Sequence, residues 1–230
     1  MFYEIKELNQ LSNWDNKIEK LIWRGSTTGW IWDKNTRSFT SEVTKENYQF
    51  FPRFILVDLG QKMPNIIDAS FIQFVQMQDN VKAFLSSKYK IAPFMNLKEQ
   101  LNYKMQIIVD GNSATYPGFL WRLSSNAVSL KQESPEVQWF YRIVKPMEHF
   151  IPVKYDLSDL VEKIEWVKNN DNKAREIAQN ANLLVAENLR ISDMYQYIFL
   201  VLSEYSSLQN FKAKIDKNEI VGYTNYMTKE

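Results

Sequence analysis

Apolar and polar positions change their rhythm once along this chain. Up to about residue 152, short apolar runs end in glycine or small polar residues and alternate with amphipathic stretches. Lys20 to Trp23 (KLIW), Ile66 to Ala69 (IIDA), Lys104 to Asp110 (KMQIIVD) and Ala127 to Leu130 (AVSL) read as buried strands. Helical patterns lie between them at Arg53 to Lys62 behind Pro52, at Asn96 to Tyr103, and at Pro117 to Ser124. Proline suits a first helical turn, and Asn96 with Glu99 three residues on forms a capping-box pattern. Strands alternating with helices predict βαβ units and a parallel sheet.

Beyond Pro152 the period becomes helical. Leu157, Leu160, Val161, Ile164 and Val167 form one stripe behind a cap at Asp156. Ala174, Ile177, Ala178, Ala181, Leu184 and Val185 form another behind Asp171. A third helix, Asp193 to Tyr205 behind Ser192, is apolar on nearly every side, which predicts burial. The fold class expected is α/β, a Rossmann-like parallel sheet with flanking helices and a helical C-terminal region. Residues 1–19 read as a lead-in helix, 20–208 as the ligand-binding domain with its C-terminal helices, and 209–230 as a polar tail.

Composition narrows the function. The 28 basic and 27 acidic residues are well mixed and give a net charge of +1, so the basic stripe of a nucleic-acid groove is missing. No cysteine is present, which removes disulfides and thiolate metal sites and suits a reducing compartment. The N-terminus MFYEIKELNQ lacks a signal-peptide pattern, and no apolar run approaches a membrane span of about 20 residues. Six glycines form neither a dinucleotide fingerprint nor a phosphate loop, and no G-x-S-x-G elbow occurs. His149 is the single histidine and reads as structural. Without a D-x-D pair, phosphate charge would be met by helix N-termini, hydroxyls and arginines rather than by a metal.

Three strand ends carry candidate chemistry. The first is Arg24-Gly25-Ser26-Thr27, where an arginine, a close-approach glycine and hydroxyls follow a strand, as ligand-binding ends of open α/β sheets do. From that stretch alone an ordinary polar turn is the simpler reading. The second is Asp110-Gly111-Asn112-Ser113-Ala114 ahead of the helix at Pro117, a place for a phosphate, with Asp110 suited to a sugar hydroxyl. A tight turn around Asn112 explains it equally. The third is Ser125, then Lys131 and Glu133 beyond the AVSL strand, which a solvated ion pair also explains. Three polar ends on one sheet argue for a shared site.

Taken together, "WRGSTTG", "PRFILVDL", "YKMQIIVDGNSA", "WRLSSNAVSLKQES", "WFYRIVKPMEHFIPVKYDLSDL" and "NNDNKAREIAQNA" resemble glycosyltransferase family 90, the family of capsule-associated and lipopolysaccharide-A proteins and protein O-glucosyltransferases. The resemblance runs in order from about Ile18 to about Tyr205. It implies inverting, metal-independent transfer from a UDP-sugar, UDP-glucose or UDP-xylose, to a hydroxyl acceptor such as lipopolysaccharide or another surface glycan. It implies no cofactor, a cytoplasmic location including the inner face of a membrane, and the C-terminal, donor-binding half of a two-Rossmann (GT-B) architecture. By position, Arg24, Gly25, Ser26 and Thr27 would border the diphosphate. Asp110, Gly111, Asn112, Ser113 and Ala114 would line the cleft, and Ser125, Lys131 and Glu133 would close it. Eukaryotic members often carry arginines where Thr27 and Pro117 stand here, which adds Arg122 to the candidates for phosphate charge. Only 22 residues precede Trp23, so residues 1–19 would be a remnant of the acceptor half, with the catalytic base unassigned. The alternative is a non-catalytic nucleotide-sugar-binding module, or a donor half that needs a partner chain. A scaffold that has lost the ligand is the third reading.

Overall fold

The computed structural model describes residues 9, 13–33, 37–115 and 117–211. The rest of the expected lead-in helix and of the polar tail lies outside the described residues. In chain order the elements are β1 (Ile18–Ser26), a hairpin of β2 (Ile31–Asp33) and β3 (Ser38–Thr40), α1 (Pro52–Lys62), β4 (Ile67–Gln73), α2 (Asp79–Lys88), α3 (Leu97–Gln100), β5 (Tyr103–Ile108), α4 (Gly118–Leu123), β6 (Val128–Gln132), β7 (Ile151–Val153), α5 (Leu160–Asn169), α6 (Asp171–Asn188) and α7 (Ile191–Ser207). The chain divides into two compact units, Met1–Arg190 and Ile191–Glu230. The sheet lies wholly in the first.

Five strands form that sheet in the order β4-β1-β5-β6-β7, and each neighbouring pair is parallel. The chain leaves β1 toward β4 on one side and later adds β5, β6 and β7 on the other. The switch in direction therefore falls between β1 and β5, where open α/β sheets bind ligands at their carboxyl ends. Both faces are covered. Met105, Ile107 and Val109 join the larger core with Phe54 and Val57 of α1, whereas Ile108 joins a second core with Phe119 and Leu123 of α4. This period-two division along one strand is what a sheet buried on both sides requires. Phe51, Phe54, Phe71 and Leu21 are almost fully buried, and each such side chain contributes about 1.5–3 kcal/mol of burial energy.

The four strands read from the sequence are β1, β4, β5 and β6. The fifth, β7, is three residues long and places Pro152 opposite Lys131 at the sheet edge. Proline is tolerated there because an edge strand leaves one side of its ladder unpaired. The helix expected over Asn96 to Tyr103 is only α3, four residues long, but its capping box forms as the pattern demands. Asn96 Oδ1 accepts from Glu99 N at 2.9 Å, and Asn96 N donates to Glu99 Oε2 at 2.7 Å. Tyr103 already belongs to β5. In α5 the stripe buries Leu160, Ile164 and Val167, and in α6 it buries Ala174, Ile177, Ala178, Ala181 and Val185. Asp171 does more than start α6. It accepts from Trp14 Nε1 and from Lys104 Nζ at 2.8 Å, tying the helix to β5.

One expectation is corrected. The apolar helix over Asp193 to Tyr205 was predicted to be buried, but α7 has no buried residue. Among the described residues, α7 is the only helix of its unit, and none of those residues forms a second element to cover its apolar surface. No helix of the described residues is long and apolar enough to cross a membrane.

Candidate functional site

The carboxyl edge between β1 and β5 carries a shallow cleft lined by Thr28, Gly29, Trp30, Pro52, Arg53, Asp110, Gly111, Gln132, Ser134 and Tyr155. Its back wall is the loop after β5. Asp110 is buried and pairs with Lys131 Nζ at 2.8 Å, the side chains of both being 6% exposed. The other carboxylate oxygen of Asp110 accepts from Thr115 N at 2.9 Å and from Thr115 Oγ1 at 3.0 Å, which closes the loop 110–115 on itself. Lys131 also donates to the Gln132 carbonyl at 2.8 Å. Gln132 accepts from Asp110 N through Oε1 and donates to the Tyr155 carbonyl at 2.7 Å, joining β5, β6 and the segment after β7. Burial lowers the Lys131 pKa, and the charge of Asp110 pulls it back up.

The cation at the cleft is Arg53. It follows Pro52 in the first turn of α1 and donates to the Ser26 carbonyl at 3.0 Å, to Thr28 Oγ1, and to the Val109 carbonyl at 3.0 Å. One guanidinium thus laces the ends of β1 and β5 together across the switch point. Gly111 packs closely beside it, because a Cβ there would sit 2.8 Å from Thr28 Oγ1 and 2.9 Å from an Arg53 terminal nitrogen, so one of these side chains would have to shift. No carboxylate among the described residues forms an ion pair with Arg53, and its Nε is buried without a partner. Burial lowers its pKa to about 10, partly offset by Asp110. Arg122 lies behind the loop, donates to the Gly118 carbonyl at 3.0 Å and stacks on Trp121 at 4.3 Å. Burial and then the repulsion of Arg53 lower its pKa to about 9. Both guanidiniums therefore stay charged at neutral pH. Arg53, Arg122 and Lys131 set three buried or half-buried cations against the one buried carboxylate of Asp110, with Glu136 attracting Lys131 from further out.

The other expected residues separate into two groups. Asp110, Gly111 and Lys131 gather at the cleft. Asn112 reaches it by accepting from Gly29 N at 3.3 Å, and Ser26 lends its carbonyl to Arg53. Ser113 is exposed, Ala114 half-buried, and Glu133 exposed at the end of β6, its backbone N–H donating to the Val153 carbonyl. Thr27 is consumed by the chain after β4, donating to the Val75 carbonyl and accepting from Val75 N, each at 2.8 Å. Gly25 serves packing, since a Cβ there would strike the Trp23 ring on the same strand face.

Arg24 does not reach the cleft. Its register partner on β4 is Ser70, yet its guanidinium reaches back to Asp68, opposite Ile22, at 2.8 Å. Its other terminal nitrogen donates to the carbonyls of Trp23 and Asp68. Tyr103, opposite Ile18, donates to the second Asp68 oxygen at 2.6 Å, and its pKa is pushed up to about 12 by burial, then by that bond and that charge. The Arg24 head thus points toward the amino end of the sheet. Ser125 precedes β6 and lies at that same end, donating to the Arg122 carbonyl at 2.6 Å.

Sequence reasoning missed Arg53, Trp30 and Tyr155, and gave no role to Thr28 and Gln132 although both lie inside the stretches WRGSTTG and WRLSSNAVSLKQES. Arg53 did leave one signal. A cation in the first helical turn opposes the helix dipole and so calls for another partner.

His149 accepts from Lys145 N through Nδ1 at 3.0 Å, a bond that needs the neutral ring. Burial lowers its pKa, although Glu148 works against this. Between the lowered folded value and an unfolded value of about 6.5, the unfolded chain binds more protons, so stability is full above that window and falls with pH through it. Urea unfolding should show stability falling as the pH drops from 7 to 5, and His149→Gln should reduce that fall.

A model of glycosyl transferase family 90 matches residues 1–227. The chain belongs to glycosyl transferase family 90. It is 30% identical over 210 residues to the human protein O-glucosyltransferase 3, covering 91% of this chain and 36% of that protein. It is 27% identical to the human protein O-glucosyltransferase 1, over 88% of this chain and 50% of that protein. This family 90 chain thus spans half or less of the length of these two relatives. Among solved structures, Anabaena Alr3699/HepE in complex with UDP superposes with a TM-score of 0.51 at 12% identity, over 88% of this chain and 53% of that one. That likeness shows the fold, the Rossmann-like domain of a GT-B glycosyltransferase.

Proposed function

We propose that this family 90 chain binds a UDP-sugar in the cleft at the β1–β5 switch point and takes part in transferring the sugar to a hydroxyl acceptor. The observation that carries the reading is the surplus of buried positive charge at the carboxyl edge. Two guanidiniums, Arg53 and Arg122, repel each other and have no carboxylate ion pair among the described residues. Desolvated charges of one sign are costly unless a counter-charge arrives, and a diphosphate supplies it. In the reaction the acceptor oxygen attacks the anomeric carbon in a single displacement. The bond from that carbon to the diphosphate oxygen breaks with its electrons leaving on UDP, and the acceptor proton passes to a base. The contribution proposed for Arg53 is to stabilise the charge that builds on the leaving diphosphate, a role in which positioned cations are effective and no metal is called on. Gly111 and the Asn112–Gly29 contact shape the wall against which the donor lies.

UDP-glucose is the donor proposed first, UDP-xylose the second, and a lipopolysaccharide or other surface glycan the acceptor. The cytoplasm is the proposed compartment, which the lack of cysteine suits. Calorimetric titration with UDP-glucose should give saturable binding in the micromolar to millimolar range. No heat with either UDP-sugar at millimolar concentration would sink the reading. The second reading is a donor half that binds alone and transfers only with a partner chain. Binding without donor hydrolysis or transfer until such a partner is added selects it.

A further inference from the structure

The hairpin β2–β3 carries an aromatic ridge that extends beyond the cleft. Trp32 and Phe39 face each other across the two strands, and they remain 52% and 64% exposed. Their rings meet edge to face at 5.0 Å, and Phe39 meets Trp30 in the same way at 4.8 Å. Trp30 in turn lies 6.1 Å from the ring of Tyr155, whose hydroxyl donates to the Trp30 carbonyl at 3.0 Å. Trp30 and Tyr155 both line the cleft. The ridge therefore begins inside the candidate donor site and runs outward from it without a break.

We infer that Trp32, Phe39 and Trp30 form the acceptor platform, and that the acceptor it takes is a sugar ring of a glycan, held by stacking. The inference rests on the donor reading above. Aromatic rings left this open in water forgo burial energy that a partner would return. The four ring systems bring no charge of their own, so they recognise the C–H faces of a pyranose rather than an anionic group. The two edge-to-face pairs, Trp32–Phe39 and Phe39–Trp30, make a stepped surface with ring-sized intervals, which accepts consecutive sugar units better than a flat apolar partner. Continuity with the cleft sets an acceptor hydroxyl beside the donor sugar, and transfer requires that closeness.

The test uses the whole chain with maltotriose and xylotriose as probes, followed by tryptophan fluorescence and by NMR, and UDP-glucose titrated separately. Trp32→Ala with Phe39→Ala should weaken binding of the preferred trisaccharide about tenfold or more, leave UDP-glucose affinity unchanged, and leave the melting temperature nearly unchanged because both rings are exposed. Trisaccharide binding that is absent in the wild type, or that ignores the substitutions, overturns the inference. So does a concentration-dependent dimer in sedimentation that the double variant abolishes, since the ridge would then serve a second copy of the chain. Binding of an extended unglycosylated peptide in place of both sugars, lost in the variant, overturns it in favour of a polypeptide acceptor. A wild type that binds trisaccharide but no UDP-sugar leaves the ridge standing and removes the donor reading instead.

Discussion

Arg53→Ala lowers the affinity for UDP about a hundredfold, as expected from losing a charge-assisted contact of about 1.5–3 kcal/mol in a desolvated site. The same substitution also reduces stability by about 1–3 kcal/mol, because Arg53 donates to the Ser26 and Val109 carbonyls and joins the ends of two strands. Calorimetry separates the two effects when it is run well below the melting temperature of the variant. Arg53→Lys keeps the charge and loses the fork, so it should recover part of the affinity but little of the stability. Arg24→Met supplies the contrast. It strands Asp68 against β1 and costs stability, yet UDP affinity should stay within about twofold because the Arg24 head points to the amino end of the sheet.

The largest stability effect is expected at the pair Asp110–Lys131. Asp110→Asn removes the charge that compensates a buried ammonium and should destabilise the chain by about 3–5 kcal/mol in urea unfolding. Lys131→Met leaves Asp110 buried but still held by Thr115 N and Thr115 Oγ1, so its cost should fall at the lower end of that range. The double variant should cost clearly less than the sum of the two, since each partner causes the burial penalty of the other. The pH dependence has a definite sign. Burial lowers the Lys131 pKa in the folded chain, so the unfolded chain binds more protons in the alkaline window below the ordinary lysine value, and stability carried by this group rises with pH there.

Much of the sheet is legible in the sequence. β1, β4, β5 and β6 were legible because each is a run of apolar residues closed by a polar or small residue, and the strand ends of β1 and β5 did fall side by side. Asp110, Gly111 and Lys131 lie together at the carboxyl edge because each stands at a strand end, which local pattern displays. Arg24 was misplaced for the opposite reason. Its local context is a strand end, but its partner Asp68 is set by the pairing register of β1 with β4, which no local pattern encodes. Arg53 belongs to a helix that the sequence did show, and the direction of its side chain depends on how α1 packs across the sheet. Ser125 looked like a neighbour of Lys131 in sequence, yet β6 carries the two to opposite edges. In α7, apolar composition could not say whether anything covers it. Local chemistry, in short stretches, is what the sequence displays, and the switch-point site is built from long-range register.

The central claim is that the donor diphosphate meets Arg53 and not Arg24. The guanidinium Nε of each is buried without a hydrogen-bond partner, so each should give a distinct Nε–H signal in a nitrogen–proton correlation spectrum. Titrating the labelled chain with UDP should shift or slow the Arg53 Nε–H signal saturably and leave that of Arg24 in place. A saturable shift of the Arg24 signal with Arg53 unmoved would contradict the account.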